Sequence, residues 1–228
     1  RAQRQCHRMS SLFYHHGQSR RLILYQLFAG FQNPVAYAQA VFRTTLSAMS
    51  EPGLPQNLPM SAGLDSLQAA SWALLQALLD ADVKVYLGDS VCTDKVRSNV
   101  LFHTGCELTA DKTQADFIVC DLATALTWDW RSLKRGSERS PEHSATLIIQ
   151  VDALQGEAHS VWQGPGIEHQ RDMNTVLDKT FWLKRAAAMA FPLGVDVILV
   201  AGQDLIGLPR TTQVQFEPVI EQGAASCM

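Results

Sequence analysis

A nearly unbroken apolar run, "ATLIIQV" at residues 145–151, limits what this chain can fold into more than any other stretch. A strand that does not alternate polar with apolar side chains must be covered on both faces, and parallel sheets flanked by helices provide that cover. The shorter runs "DFIVC" at 116–120 and "VDVILV" at 195–200 are of the same kind, while "VKVYL" at 83–87 alternates and is β-branched, as a strand should be. Between them lie segments with helical spacing, so helices and strands alternate and an α/β sheet is expected rather than a sandwich.

The intervening segments carry their own boundary signals. Asn33-Pro34 reads as a helix start, with Asn as cap and Pro where no hydrogen bond is wasted. Val35, Ala38, Phe42, Thr45, Leu46 and Met49 then recur at three- and four-residue spacing, which predicts one face set against a core. The helix is expected to stop at "SEPG", because Pro52 drives Glu51 out of the helical region and Gly53 tolerates a positive φ. A second helix follows in "LQAASWALLQALLDADV", offering Leu67, Trp72, Leu75 and Leu79 for burial. "KVRSNVLFHTG" reads as a short helix capped by Asp94 and closed by Gly105, "TALTWDWRSLKRGSE" as helix then loop, and residues 174–190 as another helix. The chain is predicted to finish with strands in "PLGVDVILVAG", "LIGLPRTT" and "QVQFE", the last of them antiparallel, so that the sheet is mixed.

At 228 residues the chain supports one substantial core, and a single domain over 31–218 is expected. Residues 1–30 hold five arginines and no acid and are read as a poorly ordered extension, with 219–228 as a C-terminal tail. A net charge of −3 gives no global field for nucleic acid, and no apolar run reaches the roughly 18 residues of a membrane span. Neither nucleic acid nor membrane is therefore an expected partner. Five scattered cysteines without CxxC indicate neither a disulfide framework nor a zinc site and fit a reducing cytoplasm.

Chemistry-bearing patterns are sparse. His103, His143, His159 and His169 lack HxH or HxxxH spacing, and no metal site is expected; His103 alone stands out, at a helix end where its charge can meet the helix dipole. No glycine-rich phosphate loop and no GxSxG frame occur. In "LPRTTQV", Arg210 beside Thr211 and Thr212 forms a fork suited to a phosphate or phosphonate, or else an edge turn whose Arg pairs with an acid. Asp196 within "GVDVILV" needs a partner, for which Arg43 and Arg210 both serve, as a binding site or as a structural clamp.

"FRTTLSAMSEPG", "VLFHTGCEL", "ATLIIQV", "GPGI", "FPLGVDVILV" and "LPRTTQV" occur in this order over about 32–217. Together they resemble the PhnH family, the H component of the carbon–phosphorus lyase system. The resemblance implies a three-layer α/β/α fold similar to that of pyridoxal-phosphate-dependent transferases, with the cofactor lost. None of the six lysines, Lys84, Lys95, Lys112, Lys134, Lys179 and Lys184, has a convincing setting for an internal aldimine, so no cofactor is expected. It further implies a core complex with subunits G, I and J and an ATP-binding-cassette protein, forming a ribose 1-phosphonate 5-triphosphate from ATP and an alkylphosphonate. Subunit I is there the nucleosidase-type catalyst and subunit J the bearer of radical iron–sulfur chemistry. This chain is expected to be a structural or assisting subunit, a homodimer in isolation, with no catalytic residue of its own. The alternative is a phosphonate- or nucleotide-binding subunit using Arg43, His103, Asp196, Arg210, Thr211 and Thr212.

Overall fold

The computed structural model describes residues 27–58 and 62–216. Its centre is a seven-stranded mixed sheet in the order β1-β9-β8-β5-β4-β2-β3. The parallel strands are β2 (Lys84–Leu87), β3 (Glu107–Leu108), β4 (Phe117–Asp121), β5 (Thr146–Gln150) and β8 (Asp196–Ala201). Strands β9 (Asp204–Leu208) and β1 (Gln56–Asn57) close one edge antiparallel, which is expected of C-terminal β9 and not of β1.

The apolar run 145–151 supplies β5, and its side chains divide between two cores. Ile148 faces one with Val119, Ile198 and Val200, while Leu147 and Ile149 face the other with Ile118, Val197 and Leu199. The first core is covered by α1 (Pro34–Ser50), α2 (Ala69–Leu78) and α3 (Asp94–Thr104). The second is covered by α4 (Leu122–Thr127), α5 (Lys179–Ala188) and a small antiparallel sheet β10-β6-β7, formed by β6 (Gln155–Gln163), β7 (Arg171–Thr175) and β10 (Gln213–Phe216). The strand predicted in "QVQFE" therefore joins this second sheet and not the main one. Trp162, Phe181 and Trp182 pack edge to face between the small sheet and α5.

Local signals explain most boundaries. Asn33 Oδ1 accepts the Ala36 N–H, and Pro34 opens α1. Gly105 ends α3 at φ 70°, but Thr93, not Asp94, is the cap. The predicted helix over 174–190 begins only at Lys179, capped by Asp178, because residues 171–175 pair with β6. The segment reaching Phe28 and Phe31 packs against the first core; residues 1–26 and the tail beyond 216 lie outside the described residues. Cys106 and Cys120 are buried free thiols.

The face of α1 is the largest departure. Val41, Thr45 and Ala48 are buried, while Val35, Phe42 and Leu46 are 80, 52 and 57% exposed. Helix α1 lies so close to β9 that a Cβ on Gly207 would stand 2.3 Å from the Ala48 carbonyl oxygen. Only small side chains fit such an approach, so the bulky apolar residues turn outward.

Among the described residues no helix is long and apolar enough to cross a membrane. Gly166, at φ +83°, sits with its notional Cβ 1.9 Å from the Ser50 carbonyl oxygen, whereas Gly202, at φ +63°, faces open space. Gly166→Ala is expected to lose at least about 2 kcal/mol of stability and Gly202→Ala ~1 kcal/mol, compared by urea denaturation.

Candidate functional site

Three of the sequence motifs meet where the small sheet sits on the main one. The "SEPG" turn ends α1, with Gly53 at φ 84° and its N–H bonded to the Gly207 carbonyl at 3.2 Å. Arg171 of β7 donates to the carbonyls of Glu51 and Pro52. The "GPG" turn after β6 presses Gly166 onto Ser50 and Pro52, and Gly164 onto Thr211, whose carbonyl a Cβ would meet at 3.0 Å. Here "SEPG", "GPG" and "LPRTT" form one backbone-to-backbone junction, made possible by glycines that have no Cβ.

Beside this junction lies the Asp196–Arg210 pair. Asp196 opens β8, and antiparallel β9 delivers Arg210 to the same end of the sheet. Arg210 Nη2 donates to Asp196 Oδ2 at 2.7 Å, Nε to Oδ1 at 3.3 Å, and the Arg210 backbone N–H to Oδ1 at 2.8 Å. Nη1 donates to the Pro141 carbonyl. Both side chains are only 17% exposed. Each guanidinium nitrogen is thus used, and the choice between Arg43 and Arg210 as the acid's partner falls to Arg210.

A residue that the sequence reading missed completes this cluster. Arg185 of α5 is 4% exposed, and its Nη2 donates to the carbonyls of Pro209 and Thr212 at 2.7 and 2.9 Å. Its Nε and the Thr212 Oγ1 are buried with no hydrogen-bond partner. Burial lowers the Arg185 pKa to about 10, partly offset by Asp196, so the guanidinium is still charged at neutral pH. Asp196 thus faces two arginines, of which only Arg210 makes an ion pair with it. The signal was present in "FWLKRAAA": Phe181, Trp182, Arg185 and Ala188 share the buried side of α5, and an arginine on an apolar stripe needs an explanation.

The other predicted residues do not join the cluster. Arg43 is exposed on α1, with no hydrogen bond or ion pair to another described residue. His103 belongs to the opposite core: its Nε2 lies 2.9 Å from the Phe28 carbonyl oxygen, and its ring meets Trp72 and Phe102 edge to face. Asn99, fully buried, accepts the Phe28 N–H at 2.6 Å, so His103 and Asn99 together hold the strap at Phe28 on α3. Thr211 is half-buried against Gly164, and Thr212 is buried beside Arg185.

Open α/β sheets hold ligands at the carboxyl ends of the parallel strands, at the point where the strand order reverses. Here that point lies between β2 and β4. It carries Gly88, whose notional Cβ would meet Cys120 at 2.9 Å, exposed Asp89 and Ser90, and Asp121. Burial pushes the Asp121 carboxyl up, but hydrogen bonds from Ser90 and Thr124 outweigh it and hold the pKa below the ordinary value. Further along this edge, Gln68 and Gln150 bond to each other and to the backbone of Ser66, Val151 and Gly202. The Asp196 cluster occupies the opposite, amino end of these strands, where an ion pair serves the scaffold. Among the described residues, no three His, Cys, Asp or Glu side chains gather as metal ligands.

Removing one partner of a largely buried ion pair costs ~3 kcal/mol or more. Arg210→Ala and Asp196→Asn are each expected to destabilise by that order, and the double variant by much less than the sum, as read from denaturation midpoints. A second expectation concerns acid. Burial raises the Asp116 pKa, but hydrogen bonds from Lys134 and the Lys84 N–H overcome this and depress it. A depressed carboxyl stabilises the fold above its unfolded pKa of about 3.9, and that contribution is lost as pH falls through the folded value. Asp116→Asn should therefore flatten the stability loss below about pH 4 in acid titrations followed by circular dichroism.

Residues 29–215 match the family described as bacterial phosphonate metabolism protein (PhnH). The chain is 30% identical over 196 residues to alpha-D-ribose 1-methylphosphonate 5-triphosphate synthase subunit PhnH of Rhizobium meliloti (strain 1021), spanning 84% of this chain and 98% of that relative. It is 31% identical over 186 residues to the putative C-P lyase subunit protein HtxG of Stutzerimonas stutzeri, spanning 78% of this chain and 86% of the relative. The match takes in the three motifs of the junction together with both cores, and the chain belongs to the PhnH family of bacterial phosphonate metabolism proteins.

Proposed function

We propose that this chain is an assembling or assisting subunit of the carbon–phosphorus lyase core complex, and that the complex, not this subunit alone, forms a ribose 1-phosphonate 5-triphosphate from ATP and an alkylphosphonate. The observation that carries this reading is the structural engagement of Arg210: Asp196 holds two of its guanidinium nitrogens and the Pro141 carbonyl the third. The arginine of the "LPRTT" fork joins β8, β9 and the loop at Pro141. The relatives' names, each a subunit of a larger enzyme, support the same reading. Its partners are then subunits G, I and J with the ATP-binding-cassette protein, its compartment is the cytoplasm, and in isolation it pairs as a homodimer. The two-sided central sheet is compatible with a pyridoxal-phosphate-transferase-like ancestry in which no cofactor is retained.

A second reading, an anion-binding subunit, is favoured by one observation: Arg185 Nε and Thr212 Oγ1 are buried without partners. The two readings separate in two experiments. Co-expression with tagged subunits G, I and J should recover this chain in stoichiometric amount; assembly of the others without it would refute the assembling role. Calorimetric titration of the isolated chain with methylphosphonate, and with ATP, should give no saturable heat at millimolar ligand. Saturable binding lost in Thr212→Val would establish the anion site instead.

A further inference from the structure

The outward side of α1 has a pattern that the fold itself does not use. Val35, Gln39, Phe42 and Leu46 are spaced by four, three and four residues, the repeat that lines one helix up against another. All four are exposed. Three of them are apolar, and a single polar residue within such a seam, here Gln39, is the device that fixes its register. Phe42 and Leu46 are large, and neither is covered by this chain's own cores. Helix α1 is nevertheless firmly placed, since its other face buries Val41, Thr45 and Ala48 and sets Ala48 against Gly207 of β9. The stripe is therefore presented on a rigid support, as docking surfaces are.

The charge on this face identifies the chemistry of what covers it. Arg43 is the only charged residue in the sequence of α1, "PVAYAQAVFRTTLSAMS". In the four-three register set by Val35, Gln39, Phe42 and Leu46, Arg43 directly follows a seam residue, at the flanking position where interhelical ion pairs choose the partner. It is exposed and makes no ion pair with another described residue. A second copy of the same helix does not complete the pair, because α1 carries no carboxylate. A two-fold pairing of the stripe on itself would instead bring two copies of Arg43 into one interface.

We infer that the Val35–Phe42–Leu46 stripe packs against an apolar helix of another subunit of the complex, with a carboxylate on that helix meeting Arg43. The inference rests on the assembling role proposed above and assigns the face and the partner's chemistry. Residues of the stripe are exposed in this chain, so polar replacements there leave its own cores intact. Phe42→Ser and Leu46→Ser are expected to keep the thermal midpoint of the isolated chain while lowering its recovery on tagged subunits G, I and J by about tenfold or more, the effect of losing a buried apolar anchor. Arg43→Glu is expected to weaken recovery, and raised salt to weaken the wild-type complex more than the Arg43→Ala complex.

A photo-crosslinking amino acid in place of Leu46 identifies the occupant directly. Crosslinking to an apolar, acid-bearing helix of G, I or J supports the inference. Crosslinking only to a second copy, or to residues 1–26 of the same chain, overturns it. Full recovery of the Phe42→Ser and Leu46→Ser chains also overturns it while leaving the assembling role intact. Failure of the wild-type chain to be recovered at all removes both.

Discussion

Two-sided burial of β5 and β8 is the constraint on which the remainder of this fold depends. Ile148 and Ile198 are paired in register and look into one core, and Leu147, Ile149, Val197 and Leu199 look into the other. Neither layer of helices is optional once these side chains must leave water. Burying each such residue is worth ~2 kcal/mol, so stripping either layer would expose more than the net stability of a domain of this size. The second layer is unusual in composition, since a three-stranded sheet shares it with α4 and α5. That sheet needs its own attachment, which the glycine junction and Arg171 provide.

This explains why the motifs that carry the family resemblance are so poor in chemistry. "GPG" touches the backbone of Thr211 and Ser50 at Gly164 and Gly166, Gly53 of "SEPG" packs on the side chains of Arg171, Met173 and Trp162, and "LPRTT" supplies an arginine held by Asp196 and Pro141. These positions stitch the small sheet, α1 and β9 together at the amino end of the parallel strands. The ends that ordinarily host ligands are held partly by the Gln68–Gln150 network and partly by Asp121 with Ser90 and Thr124. Against that background Arg185 is the feature with the least structural explanation, because its Nε and the adjacent Thr212 hydroxyl are buried unpaired.

What the sequence revealed divides along physical lines. Apolar or alternating runs and terminal caps act locally, and so β2, β4, β5 and β8, both boundaries of α1 and the end of α3 are legible. The orientation of α1 was not, because it is decided by the close approach of Ala48 to Gly207, 159 positions later in the chain and invisible to helical periodicity. Strand β7 was masked in the same way: "RDMNT" has no strand character of its own and forms one through pairing with β6. Asp196, an acid in an apolar strand, needs a partner on the sequence alone and has it in Arg210. Its grouping with Arg43 and His103 did not follow, since His103 serves the Phe28 strap in the opposite core. Arg185 is legible only from its place on the apolar stripe of Phe181, Trp182 and Ala188, since a basic residue late in a helix is also favourable for the dipole when it faces water.

A chain that acts through a presented surface and not through an anion pocket has a distinct signature in amide hydrogen exchange. Exchange would be followed in the isolated chain, in the presence of methylphosphonate and ATP, and in the assembled complex. Added protection is expected across residues 34–50 on assembly, with unchanged exchange at 209–213 in the presence of either ligand. Ligand-induced protection at 209–213, with 34–50 unaltered in the complex, would contradict the surface role and establish the pocket in its place.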